Sequence, residues 1–106
     1  MLLHTVNKSA FDNSALGDCL RVASANDAVL LIENGVYAAL NSSQNHLPHI
    51  DSIKQLSANG TRFYVLQADC DARGLDSSAL LSAFKIVDDA GFVALAAQAS
   101  ALQSWY

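Results

Sequence analysis

The stretch that decides the fold is AVLLI, residues 28–32, a continuous aliphatic run between the polar pairs Asn26-Asp27 and Glu33-Asn34. A strand covered on one face alternates apolar and polar residues, whereas a strand covered on both faces is apolar throughout. The run therefore predicts a strand of a parallel sheet that is covered on both faces.

The segments around this strand alternate between strand-like and helix-like patterns. Further strands are predicted at Leu2 to Val6, Arg62 to Leu66 and Phe84 to Val87, and the aromatic tail Trp105-Tyr106 is interpreted as an edge strand. Helical segments are predicted from Ala15 to Ala23, Val36 to Leu40, Pro48 to Ala58, Asp69 to Gly74 and from Asp88-Asp89 through Ala99. Such alternation predicts an α/β fold, a three-layer α/β/α sandwich with a mainly parallel sheet of four to five strands.

Length and composition restrict the class of protein. The 106 residues suit one domain, 1–106, and 52% hydrophobic against 15% charged residues is rich for so small a chain. Part of the apolar surface is therefore expected to meet another protein. The net charge of −4 argues against direct nucleic-acid binding, which needs a basic patch. With neither a signal peptide nor a membrane-spanning run in the sequence, a cytoplasmic protein is expected.

Common cofactor and catalytic motifs are missing from the sequence. The turn after the first strand, NKSAFDNS, contains no glycine, which excludes a dinucleotide fingerprint or a phosphate-binding glycine loop there. No cofactor is predicted. In parallel sheets chemistry gathers at the carboxyl ends of the strands, here the turns 7–13, 33–37 and 67–73.

The histidines are weak candidates for a metal site. His46 and His49 flank Pro48 at a spacing that two ligands of one metal can have, but no further ligand lies near them in sequence. They are interpreted as surface histidines, and no metal is predicted. His4 lies within the first strand and is interpreted as a packed histidine with a backbone partner.

The first of the two cysteines, Cys19, falls on the apolar stripe of the first helix and is interpreted as a small buried hydrophobe. The functional alternative is a thiolate that accepts sulfane sulfur as a persulfide, which needs partial exposure and a positive neighbour. Asp18 next to it disfavours the thiolate.

The second cysteine, Cys70, follows the third strand, where a relay thiol would reach a neighbouring subunit. Asp69 and Asp71 oppose its ionisation, and Arg73 offsets part of that effect. An exposed cysteine of a polar loop is the favoured interpretation. A stand-alone sulfurtransferase that uses Cys70 is the alternative.

Several stretches together resemble the TusB/DsrH family of the DsrE-like superfamily over nearly the whole chain. They are LHTVNKS (Leu3 to Ser9), LGDCLR (Leu16 to Arg21), LLIENGVYAAL (Leu30 to Leu40), YVLQADCDARGL (Tyr64 to Leu75) and VDDAGFVALAAQASALQSW (Val87 to Trp105). Their order and spacing, rather than a single catalytic signature, carry the resemblance.

The resemblance implies a subunit of a heterohexamer, accessory or sulfur-carrying rather than an enzyme by itself. Its partners would be TusC/DsrF-like and TusD/DsrE-like chains, two copies of each subunit, with the main sulfur-accepting cysteine on the TusD/DsrE-like chain. The complex would pass persulfide sulfur from a TusA-like donor to a TusE/DsrC-like acceptor. The destination is wobble-uridine 2-thiolation of tRNA or cytoplasmic sulfur oxidation, between which the sequence does not decide.

The resemblance also bears on individual residues. In related subunits the relay cysteine ends the third strand, several residues before an Arg-Gly pair that resembles Arg73-Gly74, and the same count here reaches Leu66. The main relay position is therefore empty in this sequence. Cys19 matches a first-helix cysteine of many DsrH-type members, which makes it the first candidate for an auxiliary sulfur acceptor and Cys70 the second.

Aromatic and apolar residues near edges and loop tips are the candidates for the interface with partner subunits. They are Val36, Tyr37, Trp105 and Tyr106. A purely structural interaction subunit, with both cysteines inert, is the remaining alternative.

Overall fold

Five parallel strands form one sheet in the computed structural model, which describes residues 1–41 and 49–106. The strands are β1 (Leu2–Val6), β2 (Ala28–Leu31), β3 (Arg62–Leu66), β4 (Phe84–Val87) and β5 (Ala101–Trp105). The α-helices are α1 (Ala15–Val22), α2 (Ile50–Ala58), α3 (Gln67–Ala72) and α4 (Asp89–Gln98). Two 3₁₀ segments lie at Glu33–Ala39 and Ser77–Ala79.

The strand order is β4-β3-β2-β1-β5, and every neighbouring pair is parallel. The chain adds strands in one direction from β1 to β4, and α4 then returns it to the opposite edge, where β5 pairs with β1. Because β2 lies at the centre, all four of its residues are buried. The predicted α/β fold with a parallel sheet is confirmed. The predicted edge strand exists, but it spans Ala101–Trp105 rather than Trp105-Tyr106, so only Trp105 belongs to both.

The sheet separates a larger core from a smaller one. Val29 and Leu31 of β2 face the larger core, with α1, α2 and the 3₁₀ segment 33–39, whereas Ala28 and Leu30 face the smaller core with Leu95 of α4. Alternate residues of a strand point to opposite faces, so the aliphatic run supplies both cores. Among the described helices, α4 is the one that contributes a buried residue, Leu95, to the smaller core. Fewer helices therefore cover this face of the sheet than cover the face of the larger core.

Helix α4 starts as predicted but has an unusual surface. Asp88 caps it by accepting a hydrogen bond from the Gly91 backbone N–H at 2.8 Å. Leu95 is the helix residue that is buried, while Val93 on the outer side is 68% exposed. No charged residue occurs from Ala90 to the end of the sequence. A helix that is apolar all round is normally covered, so the outer side of α4 has the composition of a contact surface.

Two predicted helices begin earlier than expected. The segment predicted at 36–40 is a 3₁₀ helix that starts at Glu33, and α3 starts at Gln67, directly after β3. The early 3₁₀ turn depends on Gly35, since a Cβ on this residue would lie 2.2 Å from the Val6 carbonyl oxygen. Helix α2 was predicted to start at Pro48, which lies outside the described residues. None of the helices in residues 1–41 and 49–106 is long and apolar enough to cross a membrane.

Candidate functional site

The carboxyl edge of the sheet brings the loops after β2 and β3 together through polar contacts. The Asp69 carboxylate accepts a hydrogen bond from the Glu33 backbone N–H at 2.7 Å. The Arg73 guanidinium donates two hydrogen bonds to Asn34 Oδ1, at 2.9 and 3.0 Å. Because Arg73 also contacts the Asp69 carboxylate, with N and O atoms 3.8 Å apart, the two loops form one bonded unit.

The loop after β1 joins this unit through backbone packing. The Val6 carbonyl accepts a hydrogen bond from Ile32 N at 3.0 Å, and Gly35 packs directly on the same carbonyl. The side-chain oxygen of Asn7 is buried there without a hydrogen-bond partner among the described residues. All three loops that the sequence singled out therefore meet at one edge.

Cys70 lies beside this edge but faces inward. It is 1% exposed and belongs to the larger core, because α3 starts early enough to turn the thiol inward while Asp69 and Asp71 stay nearer the surface. The interpretation of Cys70 as an exposed loop cysteine is therefore wrong. Burial raises the pKa of the Cys70 thiol, the carboxylates of Asp71 and Asp69 raise it further, and Arg73 opposes them. A thiolate is disfavoured at this position.

Cys19 is the more deeply buried thiol, with no exposed surface. Burial, and secondarily the Asp27 carboxylate, raises the pKa of Cys19 to about 12. The thiol is therefore protonated and inaccessible in this conformation, as expected of a small core hydrophobe. Its role as an auxiliary sulfur acceptor stays a prediction, and that role requires α1 to move away from the sheet.

The position that the family resemblance assigns to the relay cysteine is occupied by an aliphatic residue. Leu66 is the last residue of β3, and its half-buried side chain packs against the smaller core. Both cysteines of the chain are buried elsewhere. The carboxyl edge therefore offers carboxylates, amides and one guanidinium, but no accessible nucleophile of the thiol type.

The candidate interface residues differ in accessibility. Val36 is 0% exposed because the 3₁₀ segment turns it into the larger core, so the expectation that it contacts a partner is corrected. Tyr37 and Trp105 are half-buried, and Tyr106 is 83% exposed. These three residues have surface to offer a partner, and they remain candidates.

A buried polar network that the sequence did not reveal runs from Asp27 at the amino edge, through His4 of β1, to Trp105 at the carboxyl end of β5. His4 Nε2 is 3.1 Å from the Asp27 carboxylate, and the Trp105 indole N–H donates to His4 Nδ1 at 3.1 Å. The predicted backbone partner of His4 is therefore wrong, since both partners are side chains. An acidic residue directly before the aliphatic run was the available signal, because parallel pairing brings that position beside the first strand.

Asp27 also collects two backbone hydrogen bonds, from the N–H groups of Leu2 and Ser24, each at 3.0 Å. Burial by itself would raise its pKa. The hydrogen bonds from Leu2, Ser24 and His4 outweigh that effect and hold the pKa of Asp27 below its ordinary value. The network is therefore a fully bonded structural element that fixes the starts of β1 and β2.

The remaining histidines do not assemble a metal site in the part of the chain that the structure describes. His46 lies outside that part. His49 precedes α2 with a left-handed backbone, φ 68°, and its ring packs so closely on Gly17 that a Cβ there would be 2.9 Å from the ring. Within residues 1–41 and 49–106 no three histidine, cysteine or acidic side chains are grouped to hold a metal ion.

Solved structures define the class of fold to which this chain belongs. The ychN protein from E. coli superposes with a TM-score of 0.82 over 97% of both chains, at 15% sequence identity. A protein of unknown function, MTH1491 from Methanobacterium thermoautotrophicum, superposes with a TM-score of 0.75 over 96% of both chains, at 16% identity. The chain is therefore an α/β protein of the same five-stranded parallel-sheet fold.

Sequence comparison gives the family within this class. A family model described as DsrH like protein matches residues 8–101. Protein TusB of Yersinia pestis (strain Pestoides F) and Protein TusB of Yersinia pseudotuberculosis serotype O:1b (strain IP 31758) are each 37% identical over 94 residues, which cover 82% of this chain and 88% of the relative. The chain belongs to the TusB/DsrH family, which supports its assignment as a subunit of a sulfur-relay complex.

Proposed function

We propose that this chain, as one domain over residues 1–106, is an accessory subunit of a cytoplasmic heterohexameric sulfur-relay complex. TusC/DsrF-like and TusD/DsrE-like chains complete the complex, and the TusD/DsrE-like chain carries the persulfide between a TusA-like donor and a TusE/DsrC-like acceptor. One observation supports the accessory role most directly. This member of the TusB/DsrH family has Leu66 at the position expected for the relay thiol, while Cys19 and Cys70 are buried.

The C-terminal surface supports docking onto partner chains. We define this surface as the exposed apolar residues Val93, Leu102 and Tyr106 on α4, β5 and the last position. Strand β5 is a sheet edge without charge or proline, and such unprotected edges are usually covered in natural assemblies. The other edge strand, β4, carries Lys85. Partner subunits are expected to dock on the C-terminal surface, next to Trp105.

Co-expression tests the assembly and its surface together. The chain is co-expressed with TusC/DsrF-like and TusD/DsrE-like subunits from the same genome, and co-purification is measured by size-exclusion chromatography with light scattering. Replacing Val93 and Leu102 by aspartate should abolish co-purification, because buried unpaired carboxylates are costly. The matched control replaces Phe11 and Val22 by aspartate. Both residues are also exposed but lie outside the C-terminal surface, so the control should leave assembly intact. A wild-type chain that stays monomeric beside these partners would refute the proposal.

Sulfur loading tests the role of the two thiols. Persulfide sulfur is supplied to the assembled complex, transfer to the TusE/DsrC-like acceptor is measured, and modified cysteines are mapped by mass spectrometry. We expect Cys70→Ser to leave transfer unchanged, because the Cys70 thiol is buried and its pKa is raised. Loss of transfer in this variant would favour the alternative of a sulfurtransferase that uses Cys70. A persulfide on Cys19 would establish the auxiliary acceptor.

Two destinations for the sulfur are compatible with this proposal, namely wobble-uridine thiolation of tRNA and cytoplasmic sulfur oxidation. Both pathways use the same type of subunit, and in this proposal the chain does not contact the final sulfur acceptor. The gene neighbourhood is therefore the deciding observation. Adjacent genes for a dissimilatory sulfite reductase would assign the complex to sulfur oxidation, and their absence would favour tRNA thiolation.

A further inference from the structure

The carboxyl edge of the sheet is mainly acidic, whereas the amino edge beside β3 and β4 gathers cations. The carboxyl edge and the turns beside it hold a set of acidic residues, namely Glu33, Asp69, Asp71, Asp88 and Asp89. The amino edge beside β3 and β4 holds three of the six lysines and arginines of the chain, namely Lys54, Arg62 and Lys85. In a protein of net charge −4, this gathering of half the basic side chains is a distinct feature.

Two of these cations border one pocket of about 220 Å³ at the amino ends of β3 and β4. Tyr64 pairs with Lys85 across the two strands, and Arg62 precedes Tyr64 by two residues, so all three side chains lie on the same face of the sheet. Ser57 also lines the pocket. The pocket thus offers two positive charges and hydroxyl groups beside an aromatic ring, which together suit an anionic group.

The third cation, Lys54 of α2, extends the positive surface around the amino edge to the larger-core face of the sheet. Lys54 lines a neighbouring depression of about 340 Å³, which shares Ser57 and Ala83 with the first pocket. No aspartate or glutamate lines either concavity, and Lys54, Arg62 and Lys85 form no salt bridge with the residues the structure describes.

The nearest buried carboxylate does not neutralise this patch. Asp27 lies directly before β2, and its backbone carbonyl accepts a hydrogen bond from Arg62 N. Its side chain is turned to Leu2, His4 and Ser24, which use both carboxylate oxygens. The positive charges of the pocket are therefore available to a ligand from outside the chain.

Size and charge distribution select the kind of ligand. A volume of about 220 Å³ is below the range usual for a whole small-molecule ligand, so the pocket suits one or two anionic side chains. A nucleic-acid backbone needs an extended positive track, whereas three cations gather here in a chain of net charge −4. Within the acidic set of this chain, Asp69 and Asp88 are already bonded to backbone N–H groups, and binding by a second copy is an outcome that the test distinguishes.

We propose that Arg62 and Lys85, supported by Lys54, bind the carboxylates of an acidic segment of a partner protein in this pocket. The site lies at the amino edge, away from the carboxyl-edge loops, and its binding requires no thiol. The inference therefore goes beyond the proposed function and does not depend on it.

The test uses the full chain and a fluorescein-labelled hexaglutamate peptide, with binding measured by fluorescence anisotropy. The double variant Arg62→Gln and Lys85→Gln should bind about fivefold to tenfold more weakly than the wild type, since each exposed ion pair contributes modestly. The matched control, Lys8→Gln with Arg21→Gln, removes the same charge elsewhere and should bind as the wild type does. Thermal unfolding of each variant verifies that the chain is folded.

Two further measurements separate the alternatives. Binding of hexaglutamate should weaken as ionic strength rises from about 0.05 M to about 0.15 M, because the contacts are exposed charges. A labelled hexauridylate serves as the nucleic-acid probe, and tighter binding of this probe than of the peptide would overturn the proposal. Equal peptide affinity in the wild type and both double variants, no binding by the wild type, or Arg62-dependent self-association would also overturn it.

Discussion

His4 and Asp27 form a hydrogen bond across the first two strands of the sheet, with His4 Nε2 and Asp27 Oδ2 3.1 Å apart. Because His4 Nδ1 accepts the indole N–H of Trp105, the ring hydrogen lies on Nε2 and is donated to the carboxylate. One buried histidine therefore connects the start of the sheet to its last strand. This connection fixes β5, the edge strand on which partner docking is proposed.

Asp27→Asn tests the network through the pH dependence of stability. The lowered pKa of Asp27 means that its carboxylate stabilises the fold above the unfolded pKa of about 3.9, and that this contribution is lost as pH falls through the lower folded pKa. We expect the variant to be about 1 to 3 kcal/mol less stable near pH 7, and to lose less stability on acidification than the wild type. Urea unfolding at several pH values, followed by the fluorescence of Trp105, measures both effects. Parallel pH profiles would contradict the expectation.

Trp105→Phe tests the connection to β5. The variant keeps an aromatic ring but removes the N–H that His4 Nδ1 accepts, which should cost about 1 kcal/mol of unfolding free energy. Backbone amides of β5 should exchange hydrogen faster, as measured by mass spectrometry. Tyr106→Phe is the control, since Tyr106 is largely exposed and its change should leave exchange in β5 as it is. Equal exchange in both variants would assign the stability of β5 to strand pairing alone.

The two thiols should react slowly in the folded chain. Cys19 and Cys70 are buried and the pKa of each thiol is raised, so both the access and the thiolate that a disulfide reagent needs are lacking. With Ellman's reagent at pH 8 we expect slow labelling of the native chain and rapid labelling of two thiols in urea. The single variants Cys19→Ser and Cys70→Ser identify which thiol reacts first. Fast native labelling of either thiol would show that the helix covering it opens readily.

The raised pKa of Cys19 also predicts a loss of stability in alkali. Its pKa rises from an ordinary value of 9.0 to about 12, so the protonated thiol stabilises the fold below pH 9, and this contribution is lost as pH rises towards 12. Cys19→Ala should unfold with a shallower dependence on pH between about 9 and 11 than the wild type. Unfolding in urea across this range measures the difference. Identical slopes would show that Cys19 ionises as easily in the folded chain as in the unfolded one.

Gly35→Ala tests the packing of the carboxyl-edge loops. A Cβ at this position would lie 2.2 Å from the Val6 carbonyl oxygen, so the 3₁₀ segment must move away from β1. We expect a loss of about 3 kcal/mol or more. Gly74→Ala is the control, because Gly74 has open space around its Cα and only its φ of +68° opposes a side chain, at a cost of about 1 to 2 kcal/mol. A cost at position 35 no greater than at position 74 would contradict the close packing.

Strong local patterns predicted most of the fold. The strand at residues 2–6 and the strand at 62–66 have the predicted bounds, because their apolar character ends abruptly at polar turns. The start of the last helix was also predictable, since Asp88 supplies its cap. The 3₁₀ segment 33–39 was predicted only in part, because its start depends on the fit between Gly35 and a strand that is distant in sequence.

The site was predicted less completely than the fold. The sequence indicated which loops lie at the carboxyl edge and that Cys19 belongs to an apolar stripe. It did not indicate that Cys70 faces inward, since one polar residue on either side of a cysteine is compatible with a loop or with a helix. The network of His4, Asp27 and Trp105 was also missed, because its members come from three separate strands or strand ends.

The sequence by itself determined the parallel α/β architecture, the cover of the run 28–32 on both faces, the absence of a thiol at Leu66 and the family. Periodicity and composition support predictions because they depend only on the order of residues along the chain, and not on contacts between distant segments. Only the tertiary structure decided that both thiols are buried, that three strands share one histidine and that Lys54, Arg62 and Lys85 surround adjoining concavities. Each of these depends on which distant residues the strand order brings into contact, and burial and charge clustering exist only after those contacts form.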